Sequence, residues 1–119
     1  MSSLRDPIQE GLKRGWQVLG GAYGTRPEKM VCDVAIIGSG AGAGISAELL
    51  TRAGLKVVIV EEGPLQSSAD FNQKEVEAYA SLYQEGGVRK TKDKGIAAMP
   101  AYIVGGSTTV NWTTWFRTP

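Results

Sequence analysis

The most constraining feature of this chain is a glycine-rich segment between a short apolar run and a helical pattern. Residues 34–44 read VAIIGSGAGAG, so β-branched residues lead directly into a turn with GxGxxA spacing. Gly38 permits the tight turn, Gly40 lets a phosphate approach the backbone, and Ala43 allows close packing of helix on strand. The free N–H groups of the helix would face the anion. The segment predicts a dinucleotide pyrophosphate site formed by Gly38, Ser39, Gly40, Ala41, Gly42 and Ala43.

The residues after this turn matter because a lone GxGxxG motif is weak evidence. Ile45 and Leu49 lie at helical spacing, and Gly54 stands where a left-handed helix cap is expected. A second apolar run then ends at Glu61, roughly 20 residues after the turn, where an acid binds the ribose hydroxyls of a dinucleotide. The pattern predicts an α/β fold with a Rossmann-like βαβ unit over residues 31–62. The alternative is a glycine-rich turn without a ligand.

Two adjacent acids end this second run, and only one of them can face the ribose. Successive residues of a strand point to opposite faces, and we favour Glu61 because Glu62 begins the turn that follows. A carboxylate at the ribose would repel a 2′-phosphate, so NADP is disfavoured. These residues leave NAD and FAD as alternatives.

A second motif, near the end of the chain, separates these alternatives. Residues 104–111 read VGGSTTVN, and this segment resembles the first signature of the glucose–methanol–choline (GMC) family of FAD-dependent oxidoreductases. The resemblance runs from about residue 31 to residue 119. Within it, residues 82–87 (LYQEGG) and 116–119 (FRTP) resemble a bacterial branch of the family, which is also similar to long-chain alcohol oxidases. It implies an FAD site, an alcohol substrate and hydride transfer to the flavin. The residues it implies near the flavin are Val104, Gly105, Gly106, Ser107, Thr108, Asn111 and Trp112.

The same motif has an interpretation that does not need the family. Paired glycines let the backbone pass close to a flat ligand, and three consecutive hydroxyls (Ser107 to Thr109) can donate hydrogen bonds to phosphate or ring oxygens. A surface loop rich in Gly, Ser and Thr is the alternative for the motif alone. For the whole chain, the alternatives are another class of FAD enzyme (amine oxidase or disulfide reductase type) and a short nucleotide-binding protein without catalytic activity.

Composition limits the other possibilities. The chain has 119 residues and a formal net charge of +1, which favours neither nucleic acid nor an anionic membrane as a partner. Its single cysteine, Cys32, cannot form an internal disulfide, and no signal pattern or membrane-length apolar run is present, so we expect a cytoplasmic protein. The sequence contains no histidine, whereas GMC enzymes use one as the catalytic base. We therefore expect no catalytic residue and no metal site here, and any FAD should be held non-covalently. The resemblance further implies that the chain is an incomplete portion of a larger two-domain GMC fold.

The remaining segments carry weaker signals. Residues 1–30 predict a helix and a linker, in which Asp6 caps the helix and an apolar stripe runs from Ile8 to Leu19. This stripe could lie on a membrane surface, but we favour packing on the protein. Residues 71–104 predict a helix and a hairpin, with a short strand beginning at Ile96. The flavin-contacting loop then spans residues 104–119.

Overall fold

The computed structural model describes residues 5–25 and 27–111, and the statements below concern those residues. The helices and strands follow one another as α1 (Pro7–Lys13), β1 (Val34–Ile37), α2 (Ala41–Arg52), β2 (Val57–Val60) and α3 (Glu75–Leu82). Short 3-10 turns occur at Gly21–Tyr23, Gln84–Gly87 and Gly106–Thr108. The described chain therefore contains helices and a small parallel sheet, which is compatible with part of an α/β fold.

The sheet consists of two parallel strands joined by helix α2. The register pairs Val34 with Val57 at one end and Ile37 with Val60 at the other. The Gly38 amide continues this ladder by donating to the Val60 carbonyl at 2.7 Å. Because the strands run in the same direction, the turn after β1 and the acidic residues after β2 emerge at the same edge.

Helix α2 ends in the left-handed cap that the sequence predicts. Gly54 has a φ of +86°, and its amide donates to the Thr51 carbonyl at 3.0 Å. The next amide, of Leu55, donates to the Leu50 carbonyl at 3.1 Å. These two bonds form a Schellman motif, in which glycine relieves the steric cost of the left-handed residue.

Helix α1 is shorter than the predicted apolar stripe requires. It ends at Lys13, and Gly15 adopts a φ of +93°. The Trp16 amide then turns back to donate to the Gly11 carbonyl at 3.0 Å. The indole ring of Trp16 lies so close that a Cβ at Gly11 would be 2.3 Å from its Cδ2 atom. The prediction of one stripe from Ile8 to Leu19 was therefore wrong, because the glycine cap ends the helix first.

Helix α1 is attached to a later turn through polar contacts. One Asp6 oxygen caps the helix, accepting from the amides of Ile8 and Gln9 at 3.0 and 3.2 Å. Its other oxygen accepts from the Ser68 amide at 2.9 Å. Gln9 Nε2 donates to the hydroxyl of Ser67, a side chain that is only 2% exposed. Asp6 therefore both caps α1 and attaches it to the turn at Ser67 and Ser68.

The segment between the two motifs is less regular than the sequence predicts. Helix α3 spans only Glu75–Leu82, within the segment assigned to a helix and hairpin. The strand predicted from Ile96 is replaced by isolated antiparallel bridges at Ala97 and Ala101. The bridge partners of these two residues are Lys90 and Tyr83. Left-handed residues at 85–87 interrupt the segment between those partners, so a continuous ladder of hydrogen bonds cannot form.

The most buried apolar side chains lie where α3 meets the segment before the second motif. Ile103 is 1% exposed and Leu82 is 8% exposed. By contrast, Ile45 and Leu49 on α2 are 62% and 61% exposed. The apolar stripe of α2 thus has little cover from the described residues. Within those residues, no helix has the length and apolar character needed to cross a membrane.

Candidate functional site

The glycine-rich turn presents bare backbone at the beginning of α2. Gly38 has a φ of +83°, a conformation that favours glycine. Gly40 is the N-cap residue, and no side chain caps the helix there. The amides of Ala43 and Gly44 donate to the Gly40 carbonyl at 3.0 and 3.3 Å. The first amides of the helix, which have no intrahelical acceptor, are therefore left for an external anion.

The space beside this turn is open. A Cβ atom built at Gly38, Gly40 or Gly42 would meet no heavy atom of the described chain within 4 Å. A phosphate group could therefore approach the backbone without displacing protein atoms. The missing side chains, rather than a pocket formed by neighbours, provide that access.

Glu61 follows β2 and faces the turn. Its Oε2 atom accepts from the Ser39 hydroxyl at 2.6 Å and from the Ser39 amide at 2.8 Å. Its Oε1 atom accepts from the Gly63 amide at 2.9 Å. Burial raises the pKa of this carboxyl, but these hydrogen bonds outweigh burial, so the pKa lies below its ordinary value of 4.5. Glu61 is therefore held as a charged carboxylate at the edge of the turn.

Glu62 points away from this turn. Its Oε1 atom accepts from Gln84 Nε2 at 2.5 Å, on the side of the chain that holds the 84–87 turn. The structure therefore separates the two acids as strand alternation predicts. Glu61 is the acid that contacts the glycine-rich turn.

The second motif lies directly over the first. The Gly105 amide donates to the Ser39 hydroxyl at 2.8 Å. A Cβ at Gly106 would lie 3.0 Å from the Gly40 Cα atom, so the missing side chain of Gly106 lets the two backbones come close together. Both Gly105 and Gly106 have left-handed backbones, with φ of +94° and +59°. The fold thus joins the two motifs that the sequence assigns to one cofactor site.

The three hydroxyls of the second motif have different partners. Thr108 Oγ1 donates to the Gly105 carbonyl, and Thr109 Oγ1 donates to the Val104 carbonyl at 3.0 Å. Ser107 Oγ instead accepts from the Ala101 amide at 3.3 Å. The expectation that all three donate to a ligand is therefore too broad. Of these three hydroxyl groups, that of Ser107 donates its proton to no other described residue.

The two ends of the second motif have contacts outside the glycine turn. The Val104 amide donates to the Pro64 carbonyl at 3.0 Å, which ties the motif to the turn after β2. Asn111 lines an open cavity of about 530 Å³ together with Phe71 and Tyr83. The glycine-rich turn does not line this cavity. Trp112, also expected near the flavin, falls outside the described residues.

Two structural roles were missed by sequence reasoning. Ser39 was assigned to the pyrophosphate site as part of the motif, but its hydroxyl bridges Glu61 and Gly105. A Cβ at Gly63 would lie 2.2 Å from the Ile103 nitrogen, so this glycine allows a close backbone contact. A polar residue inside the glycine turn and a glycine after the acids were the available signals. No cluster of three or more metal-ligating side chains occurs among residues 5–25 and 27–111.

Comparison with known proteins identifies the family. A family model described as GMC oxidoreductase matches residues 79–119. The long-chain-alcohol oxidase FAO4B of Arabidopsis thaliana is 40% identical over 88 residues, which cover 74% of this chain and 12% of that protein. A GMC-type oxidoreductase of Mycobacterium tuberculosis is 38% identical over 93 residues, covering 76% of this chain and 15% of that protein. No solved structure matches the chain significantly.

These matches extend well beyond the second motif. The long-chain-alcohol oxidases match over about three-quarters of this chain, although the matched segment spans only 12% of their own length. The family model covers the end of α3 and the loop that contacts the glycine-rich turn. The chain therefore belongs to the GMC oxidoreductase family.

Proposed function

We propose that this chain forms part of the FAD site of a GMC-type oxidoreductase that oxidises alcohols. The observation that carries the proposal is the contact between the glycine-rich turn and the 104–108 loop, made through Ser39 and Gly105. A dinucleotide-type turn and a flavin-type signature, distant in sequence, share one surface. We further propose that residues 31–62 are the Rossmann-like unit of this site.

The described residues fit the adenosine diphosphate half of FAD. The open backbone over Gly38 and Gly40 would accept the pyrophosphate, with the first amides of α2 as donors. Glu61 would accept from the ribose hydroxyls, because a carboxylate has about four lone-pair positions and protein donors occupy three in this structure. Its negative charge disfavours a 2′-phosphate, and therefore NADP.

The 104–111 segment would lie toward the flavin half. Ser107 is the hydroxyl we assign as a donor to the cofactor, since those of Thr108 and Thr109 donate to backbone carbonyls. Gly105 and Gly106 would let the backbone approach the ring system, and Asn111 would offer an amide to its edge. In this arrangement the chain binds and orients the cofactor.

Bound flavin would supply the hydride acceptor for oxidation of a CH–OH group. The proton of the hydroxyl group needs a base, and the 119 residues contain no histidine to serve as one. We therefore assign no catalytic residue to this chain. Several relatives are named long-chain-alcohol oxidases, which makes long-chain primary alcohols the first substrates to test.

The experiment is to purify the full-length protein and identify its cofactor and substrate. We expect a flavin absorption spectrum, release of FAD on denaturation, and dye reduction that depends on an added long-chain alcohol. NAD and NADP serve as controls and should neither bind nor support turnover. A protein that binds NAD in place of FAD would contradict the proposal.

A further inference from the structure

We propose that Ser39 is a positioning residue that holds the 104–108 loop over the glycine-rich turn. Its hydroxyl joins the Glu61 carboxylate to the Gly105 amide and so couples the two cofactor-binding segments. This inference rests on the proposed function only for its consequence on FAD binding. The coupling itself is a property of the protein.

The directions of the two hydrogen bonds follow from the chemistry of the groups. The Gly105 N–H can only donate, so the Ser39 oxygen accepts at 2.8 Å. The single hydroxyl proton is then directed to Glu61 Oε2 at 2.6 Å, since an ionised carboxylate can only accept. The low pKa of Glu61 keeps that acceptor charged. A charge-assisted bond therefore fixes the oxygen that receives the loop.

The other close contact at this point has no side chain. The missing Cβ of Gly106 lets this residue lie against the Gly40 backbone, since a Cβ there would be 3.0 Å from the Gly40 Cα atom. Such a contact allows close approach but supplies no directional bond. Among the described residues, the side-chain hydrogen bond between the turn and the loop is that of Ser39. Its removal should let the loop shift while the sheet beneath remains paired.

The internal geometry of the loop makes the Gly105 amide a sensitive reporter. Gly105 has a φ of +94°, and a Cβ there would lie 2.4 Å from Thr109 Oγ1. The Val104 amide ties the segment to Pro64 after β2, and the Ser39 hydroxyl supplies the bond that fixes its Gly105 end on the glycine-rich turn. Exchange of the Gly105 amide with solvent measures this attachment directly.

The test compares hydrogen–deuterium exchange in variants of the full-length protein without added flavin. Ser39→Ala should speed exchange of the Gly105 amide about three- to tenfold, as expected for the loss of one hydrogen bond. Ser39→Thr, which keeps the hydroxyl, should restore protection. Ser46→Ala removes an exposed hydroxyl on α2 and should have no effect. Unchanged exchange at Gly105 in Ser39→Ala would overturn the inference.

Two further measurements separate positioning from general stability. The amides of Val58 and Ile59 in β2 should keep wild-type exchange in Ser39→Ala, and equal acceleration there would overturn the specific role. Glu61→Gln should change Gly105 exchange when Ser39 is present but not in the Ser39→Ala background, because the coupling passes through the hydroxyl. Equal effects of Glu61→Gln in both backgrounds would also contradict the proposal.

The consequence for the cofactor is measured separately. FAD should bind Ser39→Ala about tenfold more weakly than wild type, with affinity recovered in Ser39→Thr. Wild-type protein that binds no FAD would refute the proposed function, whereas the exchange data would still decide the role of Ser39. Normal FAD affinity in Ser39→Ala would show that the loop position does not affect the site.

Discussion

Adjacent acidic residues at the end of β2 have different environments because strand geometry directs them to opposite faces. The Glu61 carboxylate accepts three hydrogen bonds from the glycine turn and the Gly63 amide. Glu62 pairs instead with Gln84. A one-residue shift of the parallel register would exchange the two acids, so their separation depends on the pairing of Ile37 with Val60.

Removal of the Glu61 carboxylate should weaken FAD binding substantially. We expect Glu61→Ala to cost about 1.5–3 kcal/mol of binding free energy, the range for hydrogen bonds to a charged group. The matched variant Glu62→Ala should have a much smaller effect, because its carboxylate faces Gln84. Titration of the apo-protein with FAD measures both. The opposite order would place Glu62 at the ribose.

The Glu61 carboxylate should also affect how the free energy of unfolding depends on pH in acid. Folding lowers the pKa of Glu61. The carboxylate therefore adds to the free energy of unfolding above its unfolded pKa, and this contribution is lost as pH falls through the folded pKa. The stability difference between wild type and Glu61→Gln should therefore narrow as pH falls below about 4.5. Thermal denaturation between pH 7 and 3 measures this, and a constant difference would refute it. Asp6, whose pKa is also lowered, remains in both proteins.

Gly40 tests the position of the pyrophosphate. Gly40→Val should abolish FAD binding, because the side chain would occupy the space beside the turn. The variant should still fold, since a Cβ at this position meets no described atom within 4 Å and φ is −64°. Flavin absorbance and circular dichroism of the purified variant provide the two measurements. A folded variant with normal flavin content would place the phosphates elsewhere.

At the scale of elements, left-handed glycines determine where the helices stop. Gly15 closes α1 and Gly54 closes α2, each through a pair of Schellman hydrogen bonds. A different use of glycine occurs at Gly63, where the missing Cβ lets the turn after β2 contact the Ile103 backbone. This contact connects the βαβ unit to the segment that enters the second motif.

Substitution of Gly63 should destabilise the fold. A Cβ there would lie 2.2 Å from the Ile103 nitrogen and 2.5 Å from the Tyr102 carbonyl carbon. We expect Gly63→Ala to lower the free energy of unfolding by about 1–3 kcal/mol, as overpacking does. Gly44→Ala is the matched control, because its Cβ meets nothing within 4 Å and alanine favours a helix interior. Chemical denaturation compares them, and equal stabilities would contradict the contact.

At the scale of the whole molecule, the described chain buries little apolar surface. Ile103 and Leu82 are its buried hydrophobic side chains, whereas Ile37 on β1 is 82% exposed. A two-stranded parallel sheet normally has both faces covered. The sheet and α2 therefore keep apolar surface that the other described residues do not cover.

The protein should hold FAD without a covalent bond from residues 1–119. These residues contain no histidine, and Cys32 precedes β1 at the end opposite the glycine turn. Acid precipitation of the flavin-loaded protein should therefore leave the flavin in the supernatant, as measured by fluorescence. Residues 1–119 expressed alone should also show no alcohol-dependent dye reduction. Flavin linked to a peptide of this segment, or turnover by the segment alone, would contradict this prediction.

Local patterns were enough to predict much of this molecule. The GxGxxA spacing, the apolar runs and Gly54 predicted the parallel βαβ unit and its helix cap, because turns, caps and strand alternation depend on residues close in sequence. The same alternation favoured Glu61 over Glu62 at the turn. The second motif identified the GMC family, which the comparisons confirmed.

The tertiary structure decided what depends on contacts between distant residues. No spacing in the sequence indicates that Ser39 contacts Gly105, 66 residues later. The same is true of the contact between Gly63 and Ile103. Sequence patterns also could not predict that the Thr108 and Thr109 hydroxyls donate to backbone carbonyls. Residue types and periodicity determined the elements and the family. The packing of one loop against another determined which atoms remain available for chemistry, because a hydrogen bond requires a distance and a direction that only the folded chain supplies.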